Sequence, residues 1–177
     1  MEVTQGDLET IIHGVGRGHS KQALNYVRVE PGMLVATDGH ILIVREVSHD
    51  GGKFKPFCVS VDDVKGALRA NAELWRTNGK SVKLDPGDDF MARIGCKTVA
   101  KQDASYPDWG RLIVKKDKRG HQVAKFDPTK LMKVLQAMRD IECVEFRIWG
   151  TDEAARLDGV NASGRKVMAL VMPLINR

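Results

Sequence analysis

The chain has 177 residues, enough for one substantial core or two small ones. It is 42% hydrophobic and 29% charged, which excludes an intrinsically disordered polymer. No apolar run reaches membrane-spanning length, so no membrane partner is expected, and Met1-Glu2-Val3-Thr4 carries no secretory pattern. The formal net charge of +5 permits binding to nucleic acid without requiring it. Cys58, Cys96 and Cys143 are odd in number and widely spaced, with no Cys-x-x-Cys pair. That pattern argues against a zinc site or a disulfide framework and for reduced, mostly buried thiols in a cytoplasm.

In chain order, Leu8, Ile11, Ile12 and Val15 fall on one helical face, which predicts a helix over 5–16 with Thr4 and Asp7 as a capping pair. Gly14-Val15-Gly16-Arg17-Gly18 ends that helix, where a phosphate loop would have to begin one. A helical turn is expected over 20–25 and strands over 26–30, 33–37 and 41–47, the last two joined by a tight turn at Asp38-Gly39. A strand over 57–60 leads to a helix over 61–75 capped by Ser60, with Val64, Ala67, Leu68 and Trp75 facing inward. Lys65, Arg69 and Arg76 form a neighbouring basic stripe. Strands follow over 81–84, 90–94 and 98–101.

The charged run 115–120 marks the best boundary in the chain. Beyond it come a strand over 123–126 and a helix start at Asp127-Pro128, a capping Asp followed by Pro at the first helical position. Leu131, Val134, Leu135 and Met138 are expected to face inward, with Lys130, Lys133 and Ala137 off that stripe. Three strands, over 144–149, 154–160 and 167–172, complete the chain. Each third thus reads as a helix followed by three strands, an internal repeat of one supersecondary unit. A single α+β domain of private topology is the competing arrangement.

No catalytic set assembles from the residues. Asp38 and His40 lie two apart, and Ser20 or Cys96 could serve as a nucleophile, but no third relay member or nucleophile elbow accompanies them. His13, His19, His40, His49 and His121 lack metal-ligand spacing. Thr37, Asp38 and His40 are expected instead to lock the turn by side-chain to backbone hydrogen bonds. The chain is expected to be neither an enzyme nor the carrier of a cofactor.

Four segments carry a resemblance. Ala23-Leu24-Asn25, Ala36-Thr37-Asp38-Gly39-His40-Ile41-Leu42, Tyr106-Pro107-Asp108-Trp109 and Val171-Met172-Pro173-Leu174 occur in that order. Together they resemble motifs of the bacterial DNA polymerase III beta sliding clamps, although Ile41 stands where that family usually has Arg and Gly110 and Leu112 also depart from it. The resemblance implies a DNA-clamp fold of the α+β class. It is built from β-α-β-β-β half-domain repeats, with helices lining one face and antiparallel sheets on the other. It implies a complete clamp-like domain over 1–117, divided near 52, and a third half-domain over 118–177.

By the same resemblance, Leu24, Thr37, Gly39, His40, Ile41, Leu42, Pro107, Leu112, Leu170, Met172, Pro173 and Leu174 would wall a hydrophobic pocket. That pocket would take short peptides of DNA polymerase and clamp loader. Lys65, Arg69, Arg76, Lys130 and Lys133, with Arg17 and Lys21, would face double-stranded DNA without reading its sequence. Family rings contain twelve such units, so three per chain imply a homo-oligomer, with a tetrameric ring as the arrangement that makes twelve. Two other readings stay open. One is a non-ring clamp-like module that competes with a host clamp for partner peptides, and the other is an ordinary nucleic-acid-binding α+β domain.

Overall fold

The computed structural model describes residues 1–16, 22–78, 81–102, 104–112 and 124–174. Eleven strands and four α-helices are ordered among them: β1 (Glu2–Val3), α1 (Gln5–Ile12), β2 (Tyr26–Glu30), β3 (Met33–Thr37), β4 (Ile41–Glu46), β5 (Phe57–Ser60), α2 (Val61–Ala70), α3 (Ala72–Asn78), β6 (Val82–Asp85), β7 (Met91–Ile94), β8 (Lys97–Ala100), α4 (Pro128–Ala137), β9 (Ile141–Arg147), β10 (Ala155–Asn161) and β11 (Lys166–Val171). The expected rhythm of helix then three strands recurs three times. Two antiparallel sheets result, one in the order β1-β6-β7-β8 and one in the order β5-β2-β3-β4-β11-β10-β9.

The first two repeats exchange their leading strands. β1 precedes α1 yet pairs with β6, Val3 opposite Val82, while β5 precedes α2 yet pairs with β2, Val59 opposite Val27. Each repeat therefore completes the other's sheet. The third repeat joins differently: its last strand, β11, lies beside β4, Val171 opposite Ile41 and Val167 opposite Arg45, and extends the β5-β2-β3-β4 sheet to seven strands.

Local chemistry explains the helix starts. Thr4 accepts from the Asp7 N–H at 3.1 Å while Asp7 accepts from the Thr4 N–H at 2.8 Å, a reciprocal capping box. Ser60 accepts from the Asp63 N–H, and Asp127 caps α4 ahead of Pro128 by accepting from the Thr129 N–H. One face of the sheets and the inner stripes of the helices form the main core. It includes Leu8, Ile11, Val64, Ala67, Val134 and Met138. The other face of the large sheet carries a second cluster of Val35, Leu42, Val44, Ala154 and Leu170, packed by Tyr106 and Trp109. Burial on both faces explains why β3 and β4 read as nearly unbroken apolar runs.

Several expectations need correction. The first helix ends at Ile12, not 16, because Gly14 passes against Ala36, where a Cβ would lie 2.9 Å from the Ala36 Cβ. The helix expected over 61–75 breaks at Asn71. That side chain is fully buried, donates to the Ala67 and Ile94 carbonyls at 2.8 and 2.9 Å, and accepts from the Cys96 N–H at 2.9 Å. Arg76 consequently sits on α3, off the α2 stripe of Lys65 and Arg69. On α4 the inward position is Ala137, whereas Leu135 is 46% exposed. A strand precedes α1, where none was expected. Of the strand expected over 123–126, residues 124–126 belong to neither sheet and 123 lies outside the described residues. Of the thiols, only Cys58 is buried; Cys96 and Cys143 are exposed. Among the described residues no helix is long and apolar enough to cross a membrane.

Candidate functional site

The turn between β3 and β4 is built by its own side chains. The Thr37 hydroxyl donates to the Ile41 carbonyl at 2.6 Å and accepts from the Gly39 N–H at 3.1 Å. Asp38 Oδ1 accepts from the N–H groups of His40 and Ile41, both at 3.0 Å. Gly39 adopts φ of 86°, a left-handed conformation that favours glycine. Thr37 and Asp38 thus lock the turn through their side chains, while His40 takes part through its backbone and leaves its ring exposed.

Two further segments close on this turn. Beyond β11, the Met172 N–H donates to the His40 carbonyl at 3.0 Å. The segment 104–112 is stapled across β2 and β3: the Tyr106 hydroxyl donates to the Val35 carbonyl at 3.2 Å, and Trp109 Nε1 donates to Glu30 at 3.1 Å. Burial pushes the Tyr106 hydroxyl pKa well above its ordinary value, so it serves as a neutral donor. Arg28 lies 5.6 Å from the Tyr106 ring centroid and pairs with Glu30 at 2.5 Å.

Between these three segments lies an apolar cleft of about 340 Å³, walled by Leu24, Thr37, Gly39, His40, Ile41, Leu42, Pro107, Ala154, Leu170 and Met172. Nine of the twelve residues singled out from the sequence meet here. Of the other three, Pro173 is buried, Leu174 is exposed next to the wall, and the Leu112 side chain lies outside what the structure describes. Ala154 was missed: it precedes β10, in a stretch with no recognisable motif. The cleft suits a short apolar segment, since its walls supply burial and Met172, exposed at the rim, can adapt to varied side chains.

A second concavity of about 570 Å³ lies on the helix side. Lys65 of α2 and Lys130 and Lys133 of α4 border it, together with Ile12, His13 and Asp38. Asp38 joins the two sites: its Oδ2 accepts from Lys130 at 2.9 Å and lies 3.5 Å from Lys133. Burial works to raise the Asp38 pKa, but the Lys130 hydrogen bond and the backbone donors of His40 and Ile41 outweigh it and hold the carboxyl below its ordinary value. Arg69 is exposed one turn beyond Lys65, Arg76 is paired with Glu73 on α3, and Arg17 and Lys21 lie outside the described residues. Among the described residues no cluster of His, Cys, Asp and Glu could hold a metal ion.

A buried ionic cluster holds the third repeat against the first and so fixes the cleft between them. Arg45 of β4, 1% exposed, donates to Asp7 at 2.7 Å and to Asp140 at 2.8 Å, and Arg165 also pairs with Asp7. The sequence marked Asp7 only as a capping partner of Thr4, and Arg45, Asp140 and Arg165 read as ordinary surface charges.

Antiparallel sheets on one side and helices on the other, with a last strand that extends its neighbour's sheet, are the arrangement of the DNA polymerase sliding clamps. Solved structures bear this out. The DNA polymerase III beta subunit of Thermotoga maritima matches with a TM-score of 0.78 at 16% identity, over 100% of this chain and 65% of that one. The beta chain of Streptococcus pneumoniae matches with a TM-score of 0.73 at 15% identity, over 99% and 64%. A Pseudomonas aeruginosa sliding clamp bound to griselimycin matches with a TM-score of 0.70 at 15% identity, over 99% and 65%. The chain therefore has the beta-clamp fold and spans about two thirds of the length of these clamps. No family model matches the sequence, and no curated protein matches it.

Proposed function

We propose that the chain is a DNA sliding clamp, a polymerase processivity factor that assembles around duplex DNA and takes peptide segments of replication proteins in its apolar cleft. The convergence on one cleft of nine of the residues expected from the resemblance, within a clamp fold, carries this reading. Residues 1–117 would form a complete clamp-like domain and 118–177 a third half-domain. Twelve such units in a ring correspond to four chains.

The helix side would face the DNA. Lys65, 3.8 Å from the exposed Asp62, and Arg69 are the strongest candidates for phosphate binding, because Lys130 and Lys133 share the buried Asp38. Removing one cation that meets a phosphate should flatten the log–log salt dependence of DNA binding by about 0.9. Sequence-independent contacts of this kind let a ring hold duplex DNA and still move along it.

The test is retention on DNA. Protein loaded onto nicked circular duplex should stay bound through a sizing column and leave when the circle is linearised. Equal retention on circular and linear DNA would refute encirclement. Griselimycin, bound by the P. aeruginosa clamp, probes the cleft: it should bind this chain and be lost on substitution of cleft residues.

A further inference from the structure

We infer that the third repeat is completed by a second copy of this chain through a two-fold exchange of strands, the 124–126 segment of each copy adding to the open edge of β9 in the other. This deepens the clamp reading, of which it takes only the premise that copies assemble.

The first two repeats supply the pattern. In each, the residues just before the helix cap, β1 before Thr4 and β5 before Ser60, pair with the first strand after the other repeat's helix. In each, the same segment makes one backbone hydrogen bond to the stretch just past its own repeat's last strand. The Glu2 N–H donates to the Ser48 carbonyl at 2.8 Å, and the Gln102 N–H donates to the Cys58 carbonyl at 2.8 Å.

The third repeat reproduces the donor half of this arrangement. Residues 124–126 precede the cap Asp127, and the Leu174 N–H, just past β11, donates to the Lys125 carbonyl at 2.6 Å. The segment is held in place as β1 and β5 are. What differs is the other side: among the described residues no strand pairs with it, and β9 ends its sheet with one edge unpaired. Donor and acceptor are both present, and a two-fold axis would satisfy both at once. Charge agrees at one position, since Lys125 would meet an edge strand that carries Glu142, while Glu145 is held by Arg147 of the same strand.

The helices point the same way. Eight residues past the cap stand Ile12 in α1, Leu68 in α2 and Leu135 in α4. Ile12 and Leu68 pack against the core, and α1 lies against α2, whereas Leu135 is 46% exposed. Leu135 is the position that a second α4 would cover. The exchange would also make the ring consistent. Exchanged seams would alternate with edge-to-edge seams of the β4–β11 kind, and β8, at the far end of the four-stranded sheet, would be left to meet β8 of another copy.

The test combines mass with amide exchange on the full chain. Light scattering should give at least twice the 19.6 kDa of one chain. Amides of 124–126 and 141–147 should gain protection as concentration rises. Leu135→Asp changes a side chain already exposed, so the chain should keep its fold by circular dichroism while its mass falls by half and the β9 amides lose their added protection. Wild-type protein that stays at the mass of one chain would overturn the proposal, as would Leu135→Asp protein of unchanged mass and protection. A wild-type assembly that is sensitive to Leu135→Asp yet slides off circular DNA supports the interface and removes the clamp reading. A chain retained on circular DNA whose β9 amides exchange freely at every concentration does the reverse.

Discussion

Replacing Asp7 by Asn takes one charge from the most deeply buried ionic cluster while keeping the shape of the side chain. Asp7 is fully buried, with Arg45 at 2.7 Å and Arg165 on its other oxygen. The amide oxygen can still accept from Thr4 or from a guanidinium, so α1 keeps its start. What disappears is the countercharge. Among the described residues Arg45 would retain only the partly exposed Asp140, and its Nη1 already has no partner there. Removing one member of a buried ion pair costs about 3–5 kcal/mol. For a chain of this length that lowers Tm by roughly 6–20 °C. Urea denaturation followed by circular dichroism at neutral pH measures it directly. The double variant Asp7→Asn with Arg45→Met should lose less than the two single variants together, because the second change removes the charge that the first strands. A loss below about 1 kcal/mol for Asp7→Asn, the scale of a surface pair, would refute the argument that this cluster holds the third repeat to the first.

Met172→Ala should leave stability within about 0.5 kcal/mol, since the side chain is exposed at the rim. Lost apolar burial at about 0.8 kcal/mol per methylene should weaken griselimycin by roughly tenfold or more in calorimetry, and an unchanged affinity would remove Met172 from the site. Asp38→Asn should destabilise the protein at neutral pH. A carboxyl whose folded pKa is depressed contributes stability above its unfolded pKa and loses it as pH falls through the lower folded value. The gap between the wild-type and Asp38→Asn melting curves should therefore close in acid, and a gap constant with pH would contradict the assignment. Asn71→Ala should cost about 2 kcal/mol in chemical denaturation, because it removes a donor from the buried Ile94 carbonyl and the acceptor of the part-buried Cys96 N–H.

What was readable in the sequence followed physical range. The caps at Thr4, Ser60 and Asp127 act over two or three residues and could be seen directly. So could β2, β3 and β5, whose bounds agree with the expectation. β1 has two residues, too few for any period, and exists only because Val82 and Lys83 lie beside it in space. The break at Asn71 answers to Ile94 and Cys96 across the fold, and helical periodicity runs through it unaware. The Arg45 cluster joins residues as distant as Asp7 and Arg165, each an ordinary polar residue when taken alone. The cleft was found through resemblance rather than periodicity. Its residues come from or beside four separated segments: Leu170 directly precedes the last of them, and Ala154 lay apart from all of them.

The exchange of β1 and β5 also bears on how the chain folds. Glu2 finds its partner only when Lys83 is in place, and Tyr26 only when Ser60 is. No hairpin within the first repeat can finish its sheet alone, so the loop between partners must close before the pairing rewards it. Folding should be slow for a domain of this size. A chain halted after β4 on the ribosome would present two bare edges to its neighbours, that of β2 until residue 60 emerges and that of β4 until β11 does.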